Sequence, residues 1–327
     1  MLVAVAMVLL GVELALRVVG GRVSTDEQHL RRIPALARGL HDRPGTRLLL
    51  LGNSLTGCAV EEQVLLDELA ERGLQGLASA KIAADASGLD EWYFYLRRHF
   101  VQPGLCPEIV VLGFAGQELA DRRADRAQAR RLAHNVCTLA DVPELCTGVL
   151  SDLELRAQFL GAYFAYSLAR QEAVRHRVLR ALVPHYEAET QRLNRAARAP
   201  RRDAGEGPGA GGVAAERVTY VQLARLIEML RGAGTHCVFV TMPDNTRYDL
   251  PPGPVEVIRS GGMTLVDCRD VNLAPHHYLD GMHLNGEGSR VFSRALARAL
   301  APTIGSRTAL SRGAAPGDTP ADPSQRR

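Results

Sequence analysis

Apolar positions along this chain fall into two alternating patterns. Short continuous runs, "RLLLLG" (47–52), "PEIVVLGF" (107–114), "HCVFVTM" (236–242) and "MTLVDC" (263–268), have the form of strands buried on both faces. "LQGLASA" (74–80) is a further candidate strand. Between them, "AVEEQVLLDELAERG" (59–73), "LDEWYFYLRRHFV" (89–101) and "EGSRVFSRALARALA" (287–301) repeat their apolar positions with a helical period. Strands spaced by helices imply right-handed crossovers and a mostly parallel sheet with helices on both faces. The sequence therefore predicts an α/β domain over residues 46–304.

Two stretches interrupt that alternation. Residues 118–197 are helical in pattern and rich in arginine, more than one crossover helix requires, and are read as a helical insertion. Residues 198–215 are dominated by Gly, Pro and Ala and read as a flexible loop; residues 305–327 carry no apolar period and read as a disordered tail. No internal repeat is visible.

At the amino terminus, "MLVAVAMVLLGVELAL" is apolar apart from Glu13. At about 1.5 Å per residue it falls short of a hydrocarbon core of about 30 Å, and adding "RVVG", with Arg17 snorkelling, brings it to a marginal span. Residues 1–20 are expected to anchor the chain in a membrane, with a buried soluble helix as the alternative, and residues 21–45 to form a polar connector. Arg17, Arg22, Arg31, Arg32 and Arg38 follow the segment, and the positive-inside rule alone would hold the main domain in the cytoplasm.

Composition narrows the partners. The net charge of +3 spread over 327 residues provides no broad basic field for nucleic acid, and Lys81 is the sole lysine. Six cysteines show no CxxC or Cys/His ligand spacing, so neither a metal nor another cofactor is expected. Cys137 and Cys146 would suit a disulfide in an exported domain, whereas Cys237 and Cys268 read as buried thiols. Trp92, Tyr93, Tyr95, Tyr163, Phe164 and Tyr166 could stack on sugar rings, but their helical spacing favours packing.

Ligands of open α/β sheets bind beyond the carboxyl ends of the strands, and Ser54 follows such an end. Alone it reads more readily as a helix N-cap than as a catalytic residue. "HHYLDGMHLNGEGS" (276–289) adds Asp280 and His283, three apart in a polar, Gly-rich loop, a spacing that lets a carboxylate orient an imidazole. His276 and His277 lie close enough to be alternative bases.

"LLLLGNSLTG" and "LDGMHLNGEGSRVFSRAL" resemble the first and last blocks of the SGNH (GDSL-like) hydrolase superfamily, over most of residues 47–301. The resemblance implies a flavodoxin-like three-layer α/β/α sandwich without a metal. It makes Ser54 the nucleophile, His283 the general base and Asp280 the residue that polarises His283. It draws the oxyanion hole from the Ser54 N–H, from Gly88 in "ADASGLDEW" (with Ser87 competing for that position), and from Gln117 in "VVLGFAGQEL", where the family carries asparagine. The layout is similar to membrane-anchored exopolysaccharide acetylation proteins. That similarity implies a serine esterase or O-acyltransferase acting on acyl esters of a carbohydrate or envelope glycan, with the domain outside the cytoplasmic membrane and envelope-glycan assembly partners. The alternatives are a catalytically weak glycan-binding or assembly module, and a lipid or thioester hydrolase.

Overall fold

The computed structural model describes residues 2–19, 25–186, 189, 190, 192, 218–245 and 248–313. Its centre is a five-stranded sheet, β1 (Thr46–Gly52), β2 (Leu77–Ala83), β3 (Ile109–Phe114), β4 (His236–Thr241) and β5 (Thr264–Val266), in the order β2-β1-β3-β4-β5. Every pairing is parallel, with Leu49 opposite Ala80 and Val110, and Val110 opposite Cys237. Strand order reverses between β1 and β3, the doubly wound arrangement.

Alternation along the strands divides the interior into two cores. Leu49, Leu51, Val110, Leu112 and Phe239 face one side; Leu48, Leu50, Ile109, Val111, Val238 and Val240 face the other. The first side is covered by α2 (Thr25–His41), α5 (Leu89–Leu96), α11 (Val221–Gly232) and α12 (Pro252–Ser260); the second by α3 (Ser54–Ala59), α4 (Glu62–Glu71) and α13 (Gly286–Gly313). Parallel strands need apolar cover on both faces, which is why all four strand runs lack polar alternation.

Four boundaries differ from the sequence expectations. The connector 21–45 contains α2, a core helix: Leu30, Ile33, Ala37 and Leu40 recur on one face and are buried, while the arginines between them look outward. The helix expected over 59–73 is shorter, Glu62–Glu71, and a separate short helix, Ser54–Ala59, precedes it. The helix over 89–101 is α-helical to Leu96 and passes into a π-helical turn, Arg97–Val101. The last helix continues across Pro302 to Gly313, because Ile304 carries on the buried row of Phe292, Leu296 and Leu300; the tail beyond 313 lies outside the described residues. The flexible loop expected at 198–215 also lies outside them.

The insertion comprises α6 (Arg126–Asn135), α7 (Val142–Thr147), α8 (Leu153–Phe164), α9 (Tyr166–Ala169) and α10 (Gln171–Leu182). Leu132, Leu145, Leu155 and Phe159 join the first core, so it is continuous with the domain. Arg97 clamps it by pairing with both Asp141 and Glu144.

Among the described residues no helix is long and apolar enough to cross a membrane, so the expected N-terminal membrane helix is not found among them. The first helix, α1 (Leu2–Val19), spans about 27 Å, below a typical hydrocarbon thickness. Its Glu13 accepts the amides of Tyr166 and Ser167 (2.9 Å for Ser167), and Arg17 donates to the Phe164 carbonyl at 3.0 Å. Burial works to raise the Glu13 carboxyl, but these hydrogen bonds outweigh it and hold it at about 2. The one acidic residue of the apolar segment thus docks α1 onto the start of α9. Cys137 and Cys146 are both free thiols, so the disulfide is not formed.

Candidate active site

Ser54 is placed by the way β1 turns into α3. Asn53 caps the helix, its Oδ1 accepting the Leu55 N–H at 3.0 Å, so Ser54 occupies the first helical position. Its own N–H belongs to the first turn, where no carbonyl lies one turn back to receive it. The helix starts tight against the sheet: a Cβ at Gly52 would lie 2.0 Å from Thr56 Oγ1, and one at Gly113 2.3 Å from the same atom. At the other end of α3 the single lysine, Lys81, donates to the Val60 carbonyl at 2.8 Å.

The second segment folds as a tight hairpin. Tyr278 and Leu284 form an antiparallel bridge, the Leu279 N–H donates to the His283 carbonyl at 2.7 Å, and Gly281 supplies the positive φ (+90°) at the turn. Asn285 pins this hairpin to α13, its Oδ1 accepting the Glu287 and Gly288 amides and its Nδ2 donating to the His276 carbonyl.

The hairpin brings His283 to Ser54 across the carboxyl edge of the sheet. Ser54 Oγ lies 2.9 Å from His283 Nε2, and His283 Nδ1 lies 3.0 Å from both Oδ1 and Oδ2 of Asp280. Asp280 also accepts the His283 and Met282 amides. Its partial burial pushes the carboxyl up, but the His283 amide and imidazole and the Met282 amide together hold it at about 2. An ionised Asp280 keeps the proton on Nδ1 and leaves the Nε2 lone pair for the serine hydroxyl.

The expected oxyanion donors are arranged differently. The Gly88 N–H donates to Glu91 Oε2 at 3.0 Å, in a capping interaction at the start of α5. Ser87 Oγ donates to the Ala84 carbonyl at 2.8 Å and accepts the Trp92 indole N–H at 2.9 Å. Gln117 is exposed, in the loop after β3. The sequence reading passed over its neighbour Glu118, whose Oε1 accepts Asn53 Nδ2 at 2.8 Å and whose Oε2 accepts the Ala115 N–H at 2.8 Å. This carboxylate ties the loop after β3 to the cap of the Ser54 helix. An acidic residue beside Gln117 was the only available signal, since the partners are 65 residues apart.

His276 and His277 lie near Glu287, and the ligand-type atoms of the three lie within 4.8 Å of one another. His277 Nδ1 already accepts the Ala274 N–H at 3.0 Å, which puts the ring proton on Nε2, facing Glu287 at 3.9 Å. A metal at Nε2 would have to displace that proton and break the Ala274 bond, so His277 braces the loop. Trp92, Tyr93, Tyr95 and Tyr166 are buried, as their spacing predicted; Phe164 is 64% exposed.

A cleft of about 510 Å³ opens beside Asn53 and Gly88 and is walled by α5, α6, α7 and the start of α11. Its lining is polar and charged. Within it, burial is the main cause that raises the Asp90 carboxyl, to about 7, with Glu91 and Asp121 adding to the effect against Gln128 and Arg225.

No protein-family model and no curated protein matches the chain. Among solved structures it is similar to a catalytic mutant of Axe2, an acetylxylan esterase from Geobacillus stearothermophilus, at 10% identity and TM-score 0.38, covering 79% of this chain and 95% of that one. It is also similar to LAE5, an alpha/beta hydrolase enzyme from the metagenome of Lake Arreo, Spain, at 13% identity and TM-score 0.39, covering 82% and 98%. A third is the acetyl xylan esterase AlAXEase, at 11% identity and TM-score 0.37, covering 79% and 99%.

Proposed function

We propose that this protein is a serine esterase or O-acyltransferase of SGNH type, acting on acyl esters of a carbohydrate. The observation that carries the reading is the continuous hydrogen-bonded chain from Ser54 Oγ through His283 to Asp280. In this mechanism Ser54 Oγ attacks the ester carbonyl while His283 Nε2 takes its proton. The tetrahedral oxyanion forms near the Ser54 N–H at the start of α3, where the helix terminus favours negative charge. On collapse the C–O bond to the leaving alcohol breaks and His283 returns the proton to that oxygen. Water, or an acceptor hydroxyl, then repeats the sequence in reverse on the acyl-Ser54 ester, releasing acid or a new ester.

The test is covalent labelling of the full chain with a fluorophosphonate, together with hydrolysis of p-nitrophenyl acetate. Both are expected of the native chain and lost in Ser54→Ala, and equal labelling of that variant sinks the assignment. One observation favours a second reading, a catalytically weak carbohydrate-binding module: the Gly88 amide is occupied by Glu91, and Gln117 is turned to solvent. Absence of labelling in the native, folded chain would select it.

A further inference from the structure

We infer that the cleft beside Asn53, the residue that precedes Ser54, is a recognition subsite for a sugar ring of the substrate, whose hydroxyl groups are held by Gln222 and Asp90. The identification of that sugar as substrate rests on Ser54 being the nucleophile; the binding site itself does not.

The argument starts from which polar groups in the cleft are already satisfied. Asp121 accepts from the Thr219 hydroxyl and from the amides of Val221 and Gln222, and Glu91 accepts from Arg131 and the Gly88 amide. These carboxylates are committed to holding the walls in place. Gln222 differs. Its Oε1 accepts Arg225 at 3.2 Å, which fixes the amide's orientation, yet its Nε2 is buried with no acceptor. A buried amide donor left without a partner destabilises the fold, a cost that a ligand acceptor would remove. Asp90 is engaged by Gln128 Nε2, at 3.2 Å on Oδ2. The same cleft therefore presents a fixed N–H donor and a carboxyl with spare hydrogen-bonding capacity.

A hydroxyl both donates and accepts, so neighbouring hydroxyls on a sugar ring satisfy both groups at once. A long acyl chain does not, because it would strip water from Asp90, Glu91, Asp121 and Arg225 without replacing their hydrogen bonds. An anionic group such as a phosphate would meet the Asp90, Glu91 and Asp121 carboxylates, while three of the four arginines of the lining, Arg123, Arg131 and Arg225, are already paired with Asp152, Glu91 and Glu144. With Asp90 raised to about 7 by burial, its carboxyl also carries a proton in part of the molecules near neutrality and can itself donate. The volume, about 510 Å³, lies within the range of small-molecule sites. The insertion, through α6 and α7, supplies the outer wall, which gives this extra helical segment a role that a bare crossover would not need.

The decisive experiment is calorimetric titration of the full-length Ser54→Ala chain with partially acetylated xylo-oligosaccharides, repeated with Ser54→Ala carrying Gln222→Met or Asp90→Asn, all checked for folding by circular dichroism. Binding is expected, with Kd raised at least tenfold by Gln222→Met, which keeps side-chain length but removes the amide. Asp90→Asn keeps the shape and tests the carboxyl separately. No binding at millimolar oligosaccharide, or equal affinity in both variants, overturns the subsite. Fluorophosphonate labelling of the native chain reports on Ser54 independently. Labelling without oligosaccharide binding rejects the cleft alone, whereas Gln222-dependent binding without labelling rejects the esterase and leaves the cleft standing.

Discussion

The Gly88 amide donates to Glu91 Oε2 at 3.0 Å, and the other oxygen of Glu91 is held by Arg131 at 2.7 Å. A single buried carboxylate thus ties the loop after β2 both to the start of α5 and to α6 of the insertion. Breaking it by Glu91→Ala leaves the Arg131 guanidinium without its carboxylate partner, with only the Ala86 carbonyl at 3.0 Å, and the expected loss of stability is about 2–4 kcal/mol, towards the lower end for a broken buried pair. Urea unfolding measures it; a loss below about 1 kcal/mol would show that Arg131 finds water instead. The variant also frees the Gly88 amide, so turnover per folded molecule shows whether that amide serves the oxyanion.

Gln117, by contrast, is exposed in the loop after β3. Gln117→Ala is expected to lower kcat by less than about threefold, against the 10²–10³-fold, roughly, that a working oxyanion donor supplies. Steady-state kinetics on p-nitrophenyl acetate decide it.

Asp280→Asn keeps the side chain's shape and removes its charge. The His283 imidazole then loses the partner that fixes its tautomer, and kcat should fall by about 10²–10⁴ with little change in KM. Because the Asp280 carboxyl is held at about 2, the native chain should show no protonation step of this residue in its rate profile above about pH 4. An Asp280→Asn variant with native turnover would remove Asp280 from the mechanism.

Gly52→Ala tests the seat of Ser54. The new methyl would lie 2.0 Å from Thr56 Oγ1 and 3.0 Å from the Gly113 carbonyl, so α3 must shift outward. Overpacking of this kind costs about 1–3 kcal/mol. Turnover should fall further than stability, since Ser54 rides on α3 and must stay within reach of His283. A crystal structure of the variant with Ser54 Oγ still at hydrogen-bond distance from His283 would count against this account.

Asp90 gives a pH signature. Burial raises its folded-state value from 3.8 to about 7, with Glu91 and Asp121 adding and Gln128 and Arg225 opposing. Between those values the unfolded chain has released a proton that the folded chain keeps. The stability contributed by this group is therefore complete below about pH 4 and lost as pH rises towards about 7. The difference in unfolding free energy between the native chain and Asp90→Asn should fall across that window and level off above it. A flat difference would place Asp90 in contact with solvent.

Much of the fold was legible because its signals are local. Unbroken runs such as Leu48–Leu51 and Ile109–Leu112 have no polar alternation to place on a solvent face, so a parallel sheet buried on both sides follows from them directly. Helical spacing likewise located α4, α5 and α13. Helix α2 was hidden because its four buried positions are diluted by arginine and histidine, and a window average reads the mixture as a polar linker. The first apolar segment is the opposite case: its mean character is that of a membrane helix, while one residue, Glu13, sets its contact with the start of α9.

The same division runs through the site. Sequence alone determined that Ser54 follows a strand end and that Asp280 and His283 sit three apart in a turn-forming loop, since strand ends, caps and Gly-rich turns are properties of a few adjacent residues. Only the tertiary structure decided that His283 Nε2 meets Ser54 Oγ across 229 positions of chain, that Glu118 reaches back to Asn53, and that Glu91 claims the Gly88 amide. It alone likewise decided that Gln222 and Asp90, 132 positions apart (222 − 90), line one cleft. Hydrogen bonds between distant segments depend on the strand order β2-β1-β3-β4-β5 and on the insertion folding over it, and neither leaves a periodic trace in the residues that form them.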